Sequence, residues 1–138
     1  MNRRDSLRAA MAGAAAAVAL PTAVNAATNP DAQFIADCDE FVAVTRSEWA
    51  SFKAIPDDDE RDVAMAENRA RQETLIKRIW AVDKIHTAEG ARAAARVILA
   101  TSARAVDGDF APDTLEQAVA VTLADYMTGG ADPMAGAA

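Results

Sequence analysis

Between Pro30 and Pro56, six residues recur at spacings of four and three: Phe34, Cys38, Phe41, Thr45, Trp49 and Phe52. That periodicity lines one stripe of an α-helix and would scatter over both faces of a strand. Ile35 and Val42 widen the stripe on one side. Asn29 is placed to cap such a helix, Pro30 suits its first position, where a missing N–H is harmless, and Pro56 stops it. The spacing predicts a first helix over residues 30–54.

Three more helices follow by their punctuation. Asp57-Asp58-Asp59-Glu60 has the form of a capping box, and its acids complement a helix dipole. It predicts a long second helix from Asp58 to about Ile85. The early half of that helix has only Val63, Ala66 and Ala70 as a seam, so the acidic end of the hairpin is predicted to be the more mobile one. The later half carries Leu75, Ile76, Ile79, Trp80, Val82 and Ile85. Glu67 with Arg71 and Glu73 with Lys77 are spaced for helical ion pairs. Thr87 is placed to cap a third helix, Ala88 to Ala105, with a small-residue face of Ala91, Ala94, Ala95, Ile98 and Ser102. After the turn at Asp107-Gly108-Asp109, Pro112 opens a fourth helix. Its seam is Leu115, Val119, Thr122, Leu123 and Tyr126, and Gly129 ends it.

The fold class expected is all-α, a small helical bundle: a long antiparallel hairpin with two shorter C-terminal helices. It occupies residues 30–128, between a linker at 27–29 and a flexible tail at 129–138. The chain is 51% hydrophobic, but much of that is alanine and aromatics make up only 5%, so the core must be thin. Phe34, Phe41, Trp49, Phe52, Ile76, Ile79 and Trp80 supply bulky apolar surface along the hairpin. Two outcomes stay open: a monomer whose short helices cover that surface, or an uncovered patch that serves as a contact face.

The first 26 residues read as an address. Arg3, Arg4 and Arg8 precede an apolar run, Ala9 to Leu20, and Val24-Asn25-Ala26 supplies the small residues of a cleavage site after Ala26. Asn2 to Arg8 resembles the twin-arginine export motif at Arg3, Arg4 and Leu7; Asn2 and Ser6 depart from it. The resemblance implies the twin-arginine translocase as a partner during export, and a soluble periplasmic product. The alternative is an ordinary secretory signal. The apolar run is too short for a stable membrane span. Cleavage takes the basic count from 14 to 11 and the acidic count from 21 to 20, so the net charge goes from −7 to −9. Such a domain repels phosphate backbones and anionic lipid, which disfavours nucleic acid and membrane as partners.

Residues with chemistry are few. Cys38 is the single cysteine, set between Phe34 and Phe41, and reads as a small core residue. Its other readings are an intermolecular disulfide or a reactive thiol, and Asp37 and Asp39 oppose a thiolate there. His86 is the single histidine and sits at a predicted helix end. Asp83-x-x-His86 is similar to half of a carboxylate-bridged metal site, without the second pair and the two inward glutamates such sites need. Asp57 to Glu60 lack the spacing and turn glycine of a calcium loop. No catalytic constellation, metal site or cofactor site is predicted.

The stretch Lys84 to Val97 carries a Thr87-x-x-Gly90-x-x-x-x-Ala95-Arg96 pattern. It resembles a segment found after a long helix in small uncharacterised helical proteins of bacteria and phages, with similarity over about Phe34 to Val97. That resemblance implies no activity. The function expected is therefore a non-catalytic exported protein that binds a partner or itself as a homodimer. The alternative is a periplasmic bundle holding a small ligand or metal between its helices.

Overall fold

The computed structural model describes residues 29–104 and 109–137. The signal at 1–26, with Arg3, Arg4 and the cleavage site after Ala26, lies outside the described residues, as do linker residues 27 and 28. Four helices follow in order: α1 Ala32–Ala54, α2 Asp58–Trp80, α3 Ala88–Thr101 and α4 Leu115–Thr128. The described residues contain no strand, only a single antiparallel bridge between Arg104 and Phe110. α1 and α2 pair as a hairpin, α3 packs on α1, and α4 packs on α3.

The α1 stripe is buried at Phe34, Cys38, Phe41 and Thr45, then fails: Trp49 and Phe52 reach solvent. Phe52 instead lies beneath the Arg61 guanidinium, 4.4 Å from its ring centre. α3 is the structural middle. Ala93 meets Phe34 and Cys38, with Ile35, Ile79, Ala94 and Val97 around them. Ala95 and Leu99 meet Ala124 of α4, with Phe110, Val121 and Met127 around them. The buried set on α3 is Gly90, Ala93, Ala95, Leu99 and Ala100, not the single stripe expected from Ala91 to Ser102. A helix covered on two sides needs two small-residue faces, and the alanines supply both.

The hairpin is joined more by polar side chains than by apolar ones. Leu75 is the buried residue of α2. Elsewhere Arg78 reaches Asp37 at 2.7 Å, Arg71 reaches Glu40 at 2.5 Å and Arg69 reaches Glu48 at 3.1 Å. Gln72 donates to Thr45 Oγ1 at 3.1 Å. Arg71 thus crosses to α1, where the sequence spacing pointed to Glu67. The Arg71–Glu40 and Arg69–Glu48 pairs are solvent-accessible, contribute little each and are screened by salt, whereas the Asp37 carboxylate is buried beneath Arg78.

Asp57 caps α2 by accepting from the Glu60 N–H at 2.8 Å, and Thr87 caps α3 by accepting from the Gly90 N–H at 3.0 Å. Four boundaries differ from the sequence reading, one of them the end of α3, which stops at Thr101 with Ser102 extended and does not reach Ala105. α1 starts at Ala32, with Asp31 as its cap residue in place of Asn29, yet the Asp31 side chain does not cap α1. It turns to the start of α3, accepting from the backbone N–H groups of His86 and Thr87 at 3.0 and 2.7 Å and from the Thr87 hydroxyl at 2.6 Å. The hydrogen bond from Thr87 outweighs the opposing effect of burial and holds the Asp31 carboxyl below its ordinary range. That arrangement also explains why α2 ends at Trp80 and not at Ile85. The chain must leave the helix to present two consecutive N–H groups to Asp31 and to give Thr87 its extended cap conformation. α4, finally, starts at Leu115 with Thr114 as cap, two residues beyond Pro112.

The segment after Gly129, expected as a flexible tail, is seated on the domain. Met134 and Ala137 are buried against Ala100, with Val42 alongside. Arg104 holds the segment, donating to both Asp132 carboxylate oxygens at 2.8 and 2.9 Å, while its guanidinium stacks 4.3 Å from the Phe110 ring centre. Burial pushes the Asp132 carboxyl up, but the hydrogen bonds from Arg104 and the Met134 N–H outweigh it, and the net shift is downward. Arg46 adds a hydrogen bond to the Pro133 carbonyl at 3.0 Å.

Candidate functional site

α4 carries the largest departure from the sequence reading. Successive residues on a helix turn by about 100°, so Leu115, Val119, Thr122, Leu123 and Tyr126 share one face, and Val121, Ala124 and Met127 lie on the opposite one. The bulky stripe was the natural candidate for the core. The structure buries the small side instead: Ala124 is buried against α3, with Val121 and Met127 beside it. The bulky side faces solvent, with Leu115 77%, Val119 58%, Leu123 57% and Tyr126 84% exposed. The reason lies in α3, whose Ala95 and Leu99 bring the two backbones close, and only a small residue such as Ala124 fits between them.

Both ends of α4 are well terminated, so the face is presented by a complete helix. The Thr114 hydroxyl accepts from the Gln117 N–H at 3.2 Å, and Gly129 closes the other end at φ 67°, with the Gly130 N–H donating to the Asp125 carbonyl at 2.9 Å. Ala118, Val119, Thr122, Leu123 and Tyr126 line a shallow depression of about 550 Å3. Glu116 and Asp125 flank the stripe on either side, and the helix has no lysine or arginine. Four exposed apolar side chains in one row form a contiguous patch along the helix. A second, more scattered apolar group lies on the hairpin, where Trp80 is 84% exposed and Ile76, Val82 and Ile85 are partly so.

The residues singled out for chemistry are placed as follows. Cys38 is fully buried among Phe34 and Ala93. Burial, with the neighbouring Asp39 and Asp37 charges outweighing Arg96, pushes its thiol up to about 11. A maleimide or DTNB reagent is therefore expected to modify the native protein many-fold more slowly than the unfolded chain. Equal rates would show that Cys38 is accessible. His86 is exposed, and its backbone N–H, not its ring, makes the contact with Asp31. Asp57 to Glu60 initiate α2, with Asp58 paired to Arg61. Among the described residues, no three His, Cys, Asp or Glu side chains are grouped to hold a metal ion, and no helix is long and apolar enough to cross a membrane.

A smaller cleft of about 270 Å3 lies between α3 and α4, lined in part by Ile98, Thr101, Ser102 and Gln117. Its Thr101 and Ser102 hydroxyls donate to the helix carbonyls of Val97 and Ile98. No family model, curated protein sequence or solved structure matches this chain.

Proposed function

We propose that this chain is an exported, non-catalytic helical protein that works by association, with the outer face of α4 as its contact surface. One observation carries the reading. α4 buries its small residues and turns Leu115, Val119, Leu123 and Tyr126 to water. Water-exposed leucine and tyrosine in one row on a capped helix are unfavourable unless something covers them. The sequence supports the setting: Arg3, Arg4 and the run to Ala26 suit export to the periplasm by the twin-arginine translocase. The acidic charge argues against nucleic acid and anionic membrane as targets.

Hydroxyl-radical footprinting tests the contact surface directly. Leu115, Leu123 and Tyr126 are expected to be protected when the protein is labelled in the intact cell envelope and reactive when it is purified and dilute. Trp80, as exposed as Tyr126 but on α2, serves as the internal reference. Equal labelling of α4 in both settings, relative to Trp80, would remove the basis of this reading.

A further inference from the structure

We infer that a cleft between the middle of α3, the end of α4 and the C-terminal segment binds a small organic carboxylate with an apolar body. The cleft encloses about 470 Å3, within the range of about 300–1,000 Å3 usual for small-molecule sites. Arg92 and Arg96 line it from α3, Tyr126 and Met127 from α4, and Asp132 and Pro133 from the segment after α4. It is separate from the α4 contact surface, which it meets at Tyr126.

The walls of the cleft are fixed by bonds that leave one cation over. Asp132 accepts from two Arg104 nitrogens and from the Met134 N–H, so its carboxylate is already answered. Arg46 holds the Pro133 carbonyl. Arg96 is engaged along one edge: its Nε and Nη2 donate to Asp39 Oδ1 at 3.1 and 2.5 Å, and no described residue accepts from its Nη1. Arg92 is exposed and makes no hydrogen bond or ion pair with any described residue. Four residues apart on one helix, the two arginines stand on the same face. The end of α4 does not need them. Its carbonyls at Ala124, Asp125, Tyr126 and Thr128 accept from the Thr128 hydroxyl and from the N–H groups of Gly129, Gly130 and Ala131.

Charge and lining select the ligand. Among the described lining residues, Arg92 alone is a cation without an acidic partner. Its planar fork matches one carboxylate through two parallel hydrogen bonds, with Arg96 Nη1 and the Tyr126 hydroxyl as further donors. The acidic chain repels a multiply charged phosphate more strongly than a singly charged carboxylate. Met127 and Pro133 offer apolar surface to the rest of the ligand. Other cavities lack this feature. No charged side chain is among the described residues lining the α3–α4 cleft or the depression on α4. The groove beside Glu40 has its arginine, Arg71, already paired with Glu40.

A proton–nitrogen NMR titration of the purified protein with benzoate, benzamide and inorganic phosphate at constant ionic strength provides the test. Benzoate is expected to bind saturably, with a Kd in about the millimolar range. Its shifts should centre on the Arg92 and Arg96 side-chain Nε–H signals and on the backbone amides of residues 126–132. Benzamide, similar in shape and uncharged, should bind about tenfold more weakly or worse, as should benzoate to the Arg92→Gln protein. Arg92→Lys, which keeps the charge and loses the fork, should fall between. Both variants should keep the wild-type melting temperature, because Arg92 is exposed and unbonded among the described residues. A lack of saturable benzoate binding overturns the inference, as does undiminished binding by Arg92→Gln or a set of shifts centred elsewhere. Equal binding of benzamide overturns the role of charge, and tighter binding of phosphate overturns the choice of an organic carboxylate.

Discussion

Gly90→Ala is expected to lower the melting temperature by about 10 °C, although replacing a helical glycine with alanine at an ordinary site would raise stability by about 1 kcal/mol. A Cβ at Gly90 would meet the Asp31 carboxylate, lying 2.9 Å from its Cγ and 2.9 Å from Ile85 Cγ2. Neither neighbour yields cheaply. Asp31 is buried and fixed by hydrogen bonds from His86 and Thr87. Overpacking of this sort costs about 1–3 kcal/mol, and any retreat of Asp31 also loosens the cap of α3. A net loss of about 2 kcal/mol translates, at about 4–8 °C per kcal/mol for a domain of this size, into the shift stated. Thermal unfolding by circular dichroism measures it. The same substitution made on top of Asp31→Ala should lose most of its effect, because the two sites act through one contact. A rise in melting temperature for Gly90→Ala alone would show that Asp31 is not where the structure puts it.

Leu75→Ala is expected to be at least as severe, with a loss of about 2–5 kcal/mol, the range for a fully buried leucine. Leu75 is completely buried, and with the partly buried Ile79 it brings α2 to the core. The remaining links of α2 to α1 are mostly ion pairs and polar hydrogen bonds, which do not replace apolar burial. Amide exchange should show α2 losing protection first, ahead of α3. Val63→Ala, at an exposed position on the same helix, should change stability by a few tenths of a kcal/mol. A loss below about 1 kcal/mol for Leu75→Ala would mean that the hairpin is held by its charges after all.

The four-helix, all-α architecture was legible because each helix announces itself by period and punctuation. Thr87, Asp57 and Gly129 cap or close their helices as their residue types suggest. Direction was not legible. A stripe of large apolar residues marks one face of a helix without saying whether that face turns inward. On α1 the stripe turned in as far as Thr45, and on α4 it turned out. The deciding information lies in α3, where alanines at 93, 95 and 100 allow close approach and reward small partners. Between α3 and α4, Ala95, Leu99 and Ala124 therefore form the contact, while Leu115, Leu123 and Tyr126 face water. The polar join between α1 and α2 was hidden for a similar reason. Arg71 has an acceptable helical neighbour in Glu67, and only the fold shows that it pairs with Glu40, as Arg78 pairs with Asp37. Asp31 carried one signal that a reader could have used: a glycine in the first turn of α3, an uncommon choice there, asks what sits close to it. The answer lies more than fifty residues upstream.

That separation bears on the order in which the chain becomes fixed. The bonds from Asp31 to His86 and Thr87 span 55 and 56 residues and enclose the whole of α1 and α2 within one loop. Contacts so distant in sequence form late, after the loop entropy has been met by others. A chain emerging from its N-terminus thus makes α1 long before the partner of Asp31 exists. Until the first turn of α3 arrives, the entry to the domain has no lock. The residue that opens the domain is fixed among the last.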